Sequence, residues 1–446
     1  MARKEHLMAK QHRISTPARV AALSLPIVLM LAACTAPQEG GGQAGDSGGQ
    51  AGDSGDPIVV GHLTAHTGPF ADVGPLLDGA TAFALEIINE DPPLGRPMQQ
   101  INQDLGTIGE AQASRLLVER ENVDVLWGIA HEYLSYRDWI LQQVADSGKP
   151  IMPSVHGGAV PAQYGGTAEE PMFRGSPMDS GQAIAAVLQA QEAGAERIAI
   201  LATEIEGSQA QKEAAERAAE EIGLEVVSVL NVQPEQASYR STVDSIAEAD
   251  PDALLMFTQA EDGATIVKQA AEAGLSLVII GTQEWLGSAF FDVATYSAIQ
   301  QHQNVQIAAY THADSPAWDF FLERWEASEF ADIAEAQNSY ALQFYDQLVV
   351  TALAIEAAGS TDAADWAEHV REVSMAPGKT VYTYAEGIAA VRAGEDIDYS
   401  GVTGEYDYTD TGVVSGLYGI FEWSPEGELT QVNVINDGAI LALEAN

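Results

Sequence analysis

The chain has 446 residues, of which 20 are Lys or Arg and 65 are Asp or Glu, so its formal net charge is -45. Nucleic-acid binding needs a basic surface, and this acidity therefore excludes a general nucleic-acid role. The single cysteine, Cys34, excludes an internal disulfide. Because the acids are spread along the chain, we interpret the charge as adaptation to salt rather than as a patch that recruits a cationic partner.

The first 33 residues have the parts of a secretory signal peptide. Basic residues between Arg3 and Arg19 precede an uncharged, mostly apolar run over 20–33. The run is shorter than the roughly 20 apolar residues that cross a bilayer. It closes with Leu31-Ala32-Ala33-Cys34, which resembles the lipobox of bacterial lipoproteins. The resemblance implies cleavage before Cys34, a lipid on this cysteine, and an extracytoplasmic protein anchored to the cell membrane.

Residues 34–56 are predicted to form a flexible linker to the lipid. From Gly40 to Asp56 the chain contains only Gly, Gln, Ala, Asp and Ser, with the sequence GGQAGDS written twice in succession. Such a segment has no apolar side chains to bury and behaves as a flexible coil. The folded part then begins near Pro57 and has about 390 residues, a length typical of two domains.

Strand-like and helix-like segments alternate from Ile58 onward, and the C-terminal part over 382–443 has the composition of mixed β structure. This alternation predicts an α/β fold with parallel sheets covered by helices. In such folds the ligand lies at the carboxyl ends of the strands, and pockets favour domain interfaces. The predicted strands are 58–61, 123–128, 150–153, 197–201, 225–230, 253–257 and 277–281, and the clearest helices are 76–89, 208–222 and 262–273.

Short fragments with a characteristic order run through almost the whole folded part. They are Val60-Gly61, Thr67-Gly68-Pro69, Gly79-Ala80, Glu86-Ile87-Ile88-Asn89, Leu94-Gly95-Arg96-Pro97, 123–128, Phe173-Arg174 with Asp179, Asp250-Pro251-Asp252-Ala253, Tyr345-Asp346, 357–362 and 416–423. Together they resemble the type I periplasmic solute-binding proteins, the Leu/Ile/Val-binding family of ABC importers. The resemblance implies two Rossmann-like lobes with parallel sheets joined by a three-strand hinge. Lobe one is then expected at 57–175 plus 312–380, and lobe two at 176–311 plus 381–446.

The resemblance also transfers the ligand contacts of the family onto this sequence. Glu132 stands where the family has a serine that meets the ligand carboxylate, and Glu206 stands where it has a tyrosine. Glu284 matches the acid that meets the ligand ammonium. Tyr133 and Trp285 could stack on a cation. The predicted ligand contacts are Glu132, Tyr133, Ser154, His156, Glu206, Glu284 and Trp285.

Each of these residues also has a structural interpretation. Acids favour helix starts, so Glu132 and Glu206 are equally explained as solvated residues at helix N-termini. His156 is equally explained as a loop histidine and Trp285 as core packing, while Asp179 lies near the first crossover and fits a structural role.

The sequence therefore predicts a monomeric extracytoplasmic lipoprotein that captures a small polar solute between two lobes and delivers it to an ABC permease. Carboxylates at 132 and 206 would repel another carboxylate, which favours an amine-bearing solute or an amide over a standard α-amino acid. A receptor of the same fold that informs a signalling protein is the alternative. Enzyme motifs are incomplete, since His131-Glu132 lacks the second histidine of a zinc-protease helix. We expect no catalytic residues, no cofactor and no metal.

Overall fold

The computed structural model describes residues 55–67, 71, 74–129, 131–149, 151–155, 160, 163–414, 416–435 and 437–444. The predicted signal peptide, Cys34 and the linker up to residue 54 lie outside these residues. Within them, no helix has both the length and the apolar character needed to cross a bilayer.

Helices and strands alternate along the described chain. The strands are β1 (Ile58–Thr64), β2 (Met98–Asp104), β3 (Val125–Gly128), β4 (Ile151–Val155), β5 (Arg197–Thr203), β6 (Glu225–Val232), β7 (Ala253–Phe257), β8 (Val278–Thr282), β9 (Asn304–Tyr310), β10 (Lys379–Val381), β11 (Ile397–Gly401), β12 (Gly404–Glu405), β13 (Tyr418–Trp423) and β14 (Leu429–Ile435). The helices are α1 (Gly74–Ile88), α2 (Glu110–Arg115), α3 (Tyr133–Ser147), α4 (Asp179–Glu192), α5 (Glu206–Ile222), α6 (Arg240–Ala249), α7 (Ala260–Glu272), α8 (Ser288–Ala294), α9 (Tyr296–Ile299), α10 (Pro316–Glu326), α11 (Ser339–Ala358), α12 (Ala363–Ser374), α13 (Tyr384–Arg392) and α14 (Asp437–Glu444).

The strands form two main sheets and one small one. The first sheet has the order β2-β1-β3-β4 with every pair parallel. The second has the order β14-β13-β9-β8-β7-β5-β6, and its strands from β5 to β9 are parallel, while β13 runs antiparallel to β9 and to β14. The small sheet has the order β10-β11-β12. The predicted α/β class with parallel sheets is confirmed.

Buried side chains gather around each main sheet. We call the first core the cluster formed by side chains from 58–173 and 317–414, which includes Trp127 and Tyr345. We call the second core the two clusters on either face of the seven-stranded sheet, formed from 183–310 and 418–440. Residues 381–414, which we expect in lobe two from the sequence, instead contribute side chains such as Tyr399 to the first core. The last crossover therefore lies between 414 and 418 and not at 381.

A buried aspartate holds the segment 399–403 against the first core. Asp346 in α11 accepts hydrogen bonds from the Tyr399 hydroxyl at 2.8 Å, the Val402 N–H at 2.9 Å, and the N–H and hydroxyl of Thr403 at 2.8 and 2.7 Å. Buried carboxylates need such donors, and these four tie the β11–β12 hairpin to the first core. Gly401 leaves the room for them, since a Cβ there would lie 2.5 Å from the Asp346 carboxyl carbon.

The three segments that pass between the cores are hydrogen-bonded to one another. The N–H of Arg174 donates to the Gly412 carbonyl at 2.6 Å, and the Val414 N–H donates to the Arg174 carbonyl at 3.1 Å. The Thr311 N–H donates to the Leu417 carbonyl at 3.1 Å. The first and second crossovers are thus each bonded to the third, which gives the three-strand hinge predicted from the sequence.

Candidate ligand-binding site

Two carboxylates of the second core lie where the chain leaves the hinge and where β8 ends. Asp179 is the first residue of α4, directly after the first crossover, and Glu284 lies in a 3₁₀ turn over Gln283–Trp285. Both side chains are partly buried. Burial raises the pKa of both carboxyl groups, and the charge of Asp179 raises the pKa of Glu284 further. The two acids therefore belong to one electrostatic unit.

The hydrogen-bond partners of these acids are neutral. The Tyr310 hydroxyl donates to Asp179 Oδ1 at 3.2 Å, and the Thr282 hydroxyl donates to Glu284 Oε2. Among the described residues, no lysine or arginine forms an ion pair with either carboxylate. Buried charges in proteins are normally paired, so this arrangement is open to a cation from outside.

A buried glutamine lies between the two acids. Gln182 is fully buried in α4, and its Oε1 accepts the N–H of Gln283 at 3.2 Å, next to Glu284. Its amide also lies beside the hydroxyl of Tyr310, the residue that bonds Asp179. Gln182 therefore connects Gln283 to Tyr310 within the second core.

Residues of the first core also interact with these two acids. Tyr340, in the first turn of α11, is partly buried, and burial raises its pKa to about 12, with a further contribution from the charges of Asp179 and Glu284. His131, which follows β3, interacts electrostatically with Asp179 and lowers its pKa. We call Asp179, Gln182, Glu284, Tyr310, Tyr340 and His131 the cleft cluster. It brings together groups from both cores.

The family follows from comparison with known proteins. The family model described as periplasmic binding protein matches residues 57–427, which is most of the chain. The chain belongs to the periplasmic binding protein family. This membership places it among extracytoplasmic solute-binding proteins, which are not enzymes. No curated protein sequence matches the chain significantly.

Solved structures of periplasmic binding proteins share the fold. An ABC transporter substrate-binding protein from Sphaerobacter thermophilus is 20% identical, covers 85% of this chain and 98% of its own, and has a TM-score of 0.67. The branched-chain amino acid transporter substrate-binding protein LivJ from Streptococcus pneumoniae, in complex with isoleucine, is 16% identical over 85% of this chain and 99% of its own, with a TM-score of 0.61. A solute-binding protein from R. palustris, in complex with benzoate, is 14% identical over 85% and 96%, with a TM-score of 0.61.

Trp285 of this periplasmic binding protein is a core residue. It is fully buried, its ring stacks on Phe290 with centroids 4.5 Å apart, and its Nε1 lies 3.3 Å from the Thr258 carbonyl oxygen. Glycines cover the ring as well, since a Cβ on Gly263 or Gly281 would come within 2.5 or 2.4 Å of it. Trp285 thus fits the structural interpretation as a core residue, and its role as a ligand contact stays a prediction.

Tyr133 and Glu132 are also engaged within the first core. Tyr133 is buried and its hydroxyl donates to Glu170 Oε1 at 2.7 Å, while Arg137 forms two 2.6 Å hydrogen bonds to the same carboxylate. Glu132 is exposed at the N-terminus of α3, and its Oε2 accepts the N–H of Glu110 at 3.2 Å. Tyr133 thus has a structural partner in the first core, and Glu132 has the position of an acid at a helix start. Their roles as ligand contacts stay predictions.

The remaining predicted contacts are placed only by the backbone. Ser154 lies in β4, Glu206 is the first residue of α5, and His156 lies outside the described residues. Their roles stay predictions.

Of the four predicted contacts whose side chains the structure describes, Glu132, Tyr133, Glu284 and Trp285, one belongs to the cleft cluster, namely Glu284. For the other members of the cleft cluster the sequence contained one signal, which is the position of Asp179 near the first crossover. Within the described residues, no set of three His, Cys, Asp or Glu side chains has the geometry of a metal site.

Proposed function

We propose that this protein is the solute receptor of an ABC importer and that it captures a small polar solute, amine-bearing or amide, between its two cores. The observation that carries the proposal is the cleft cluster, in which Asp179 and Glu284 of the second core act on Tyr340 of the first. Membership in a solute-binding family supports the same conclusion. A solute that is only an anion, like the benzoate of the R. palustris structure, would meet two carboxylates here.

Capture would work by closure of the hinge. A ligand shifts an open–closed equilibrium only by its differential affinity for the two states, so it must gain contacts in the closed state. Asp179 and Glu284 would bind the solute from the second core, while Tyr340 and His131 would complete the contacts from the first. Closure then presents a changed surface to a permease.

The lipid anchor at Cys34 belongs to the same proposal. A flexible linker of roughly twenty residues keeps the receptor within some tens of ångströms of the membrane, because such chains follow random-coil scaling. Tethering raises the effective concentration of the receptor at a permease in the same membrane. A monomer is sufficient for this mechanism.

A thermal-shift screen tests the proposal. The mature chain is heated with amino acids, polyamines, betaines, amides and urea, each alone. A solute at a hundred times its dissociation constant stabilises the folded state by about 2.7 kcal/mol, so the melting temperature rises measurably. We expect at least one amine or amide to do so, and Glu284→Gln to abolish the shift. Glu248→Gln, an exposed acid on α6, is the matched control. Absence of any stabilising small solute would contradict the proposal.

Import and sensing can be separated by reconstitution. The loaded receptor of an importer stimulates ATP hydrolysis by its permease complex in vesicles. We expect stimulation that requires the solute and disappears in Glu284→Gln. If the solute binds but the loaded receptor does not stimulate ATP hydrolysis by the permease complex, a receptor that serves a signalling protein is favoured instead.

A further inference from the structure

The turn that carries Asp179 is held by residues from distant parts of the chain. Met178 precedes α4, and its carbonyl oxygen accepts a hydrogen bond from the Tyr418 hydroxyl at 3.1 Å. Ser180 follows Asp179, and its hydroxyl donates to Glu444 Oε1 at 2.8 Å. Asp179 therefore stands between two residues that are each fixed from outside α4.

All three crossovers join the second core at this turn. The first ends at Met178 and Asp179, Tyr310 ends β9 before the second, and Tyr418 opens β13 after the third. The ring centroids of Tyr310 and Tyr418 are 5.3 Å apart, and both side chains are buried. Asp179 therefore lies where the hinge is anchored to the second core.

The start of α4 depends on these tertiary contacts. Met178 occupies the N-cap position and has no side-chain oxygen that could fix the helix start. Gly181 allows Tyr418 and Glu444 to approach, since a Cβ there would collide with the Tyr418 hydroxyl and lie 3.3 Å from Glu444 Oε1. Glu444 is held in turn by α14, whose Ile440 side chain is buried in the second core. The first turn of α4 is thus positioned from outside the helix.

We infer that Tyr418 and Glu444 are positioning residues for solute capture, because they hold the turn from which Asp179 meets the solute. The inference rests on the proposed function, in which Asp179 binds the solute. It adds two residues whose hydrogen bonds go to the chain neighbours of Asp179 and not to its carboxylate. A binding group must be held within about 0.5 Å of its productive position, so loss of either hydrogen bond weakens binding.

Hydrogen exchange of the protein without solute tests whether these bonds hold the turn. Tyr418→Phe removes the hydroxyl and Glu444→Leu removes the acceptor, whereas Glu444→Gln keeps an acceptor oxygen for Ser180. We expect the amides of residues 181–184 to exchange about fivefold faster in the first two variants, which is the contribution of one neutral hydrogen bond. Tyr296→Phe, on α9 of the same core, is the matched control and should leave these rates unchanged. Unchanged rates in both Tyr418→Phe and Glu444→Leu would overturn the inference.

Solute affinity then separates positioning from general stability. The probe is the one of leucine, putrescine, glycine betaine, acetamide and urea that stabilises the unmodified protein most. By titration calorimetry we expect Tyr418→Phe and Glu444→Leu to bind it about fivefold more weakly, while their melting temperatures without solute fall by less than about 4 °C. Glu444→Gln should recover most of the lost affinity, because its amide oxygen still accepts the Ser180 hydroxyl. Should Glu444→Leu fail to fold, Ser180→Ala removes the same hydrogen bond from the other side.

The possible failures are distinguishable. Equal weakening in Glu444→Gln and Glu444→Leu would show that the charge of Glu444 acts on the probe, which would overturn the inference and leave a solute receptor in place. Unchanged affinity in both Tyr418→Phe and Glu444→Leu would do the same. If none of the five probes binds the unmodified protein, the proposed function fails, and the inference that rests on it fails with it.

Discussion

Glu110 is a buried carboxyl group whose ionisation should have a measurable effect on stability. It opens α2, and its Oε1 accepts the Tyr136 hydroxyl at 2.6 Å while its Oε2 accepts the Glu132 N–H at 2.9 Å. The Glu110 N–H in turn donates to Glu132 Oε2 at 3.2 Å. These bonds tie α2 to the segment that follows β3 and contains His131. Burial raises the pKa of Glu110 from its ordinary value of 4.5 to about 7.

The sign and size of the effect follow from that shift. The unfolded chain releases the Glu110 proton near pH 4.5, whereas the folded chain holds it until about pH 7. The stability that Glu110 contributes is therefore complete below pH 4.5 and is lost as the pH rises through 7. The interval between the two pKa values corresponds to about 3 kcal/mol. Glu110→Gln has nearly the same shape and cannot ionise, so it should escape this loss.

Urea unfolding of both proteins from pH 4 to pH 8 measures the effect. We expect the stability of Glu110→Gln relative to the unmodified protein to rise by about 3 kcal/mol across this range, with unchanged m-values. Taking the difference cancels the many other carboxylates, and Glu248→Gln controls for a general loss of negative charge. Parallel stability curves for the two proteins would refute the reasoning, since Glu110 would then ionise alike in both states.

Three further changes have defined outcomes. Gly401→Ala should lower the free energy of unfolding in urea by about 3 kcal/mol or more, because its Cβ would displace the Asp346 carboxylate. At Gly287 a Cβ meets no atom within 4 Å, so Gly287→Ala should change this free energy by less than about 1 kcal/mol. Equal changes in the two variants would contradict the role of Asp346 in holding residues 399–403. Added salt should raise the melting temperature of a chain with a net charge of -45, and a flat response to salt would contradict adaptation to a saline medium. Cys34→Ser should release the protein from membranes into the soluble fraction in cells, and unchanged membrane association would contradict lipidation at this residue.

Much of the fold was predictable because the spacing of apolar residues along the sequence indicates which side chains are buried. Buried parallel strands such as 253–257 are continuous apolar runs, and the sequence shows them directly. The segment 381–414 was assigned to lobe two because its aromatic residues are typical of mixed β structure. Tyr399 instead belongs to the first core, and its hydroxyl donates to Asp346 of α11. A hydrogen-bond cluster of this kind leaves no periodic pattern in the sequence.

The site was predictable only in part, for two physical reasons. Neighbouring residues in a tight turn point in different directions, so Glu284 belongs to the cleft cluster while Trp285 fills the core. Asp179, Tyr310 and Tyr340 are far apart along the chain and come together only because the crossovers bring the cores side by side. A single sequence contains no signal for such a meeting.

Hydrogen exchange with and without the best solute tests capture between the two cores most directly. We predict that the solute slows exchange of backbone amides on both sides of the cleft cluster, around Gln283–Trp285 in the second core and in the first turn of α11 in the first core. Distant helices such as α6 should exchange at the same rate in both samples. Protection confined to one core, or protection of α6 with none at the cluster, would contradict the account.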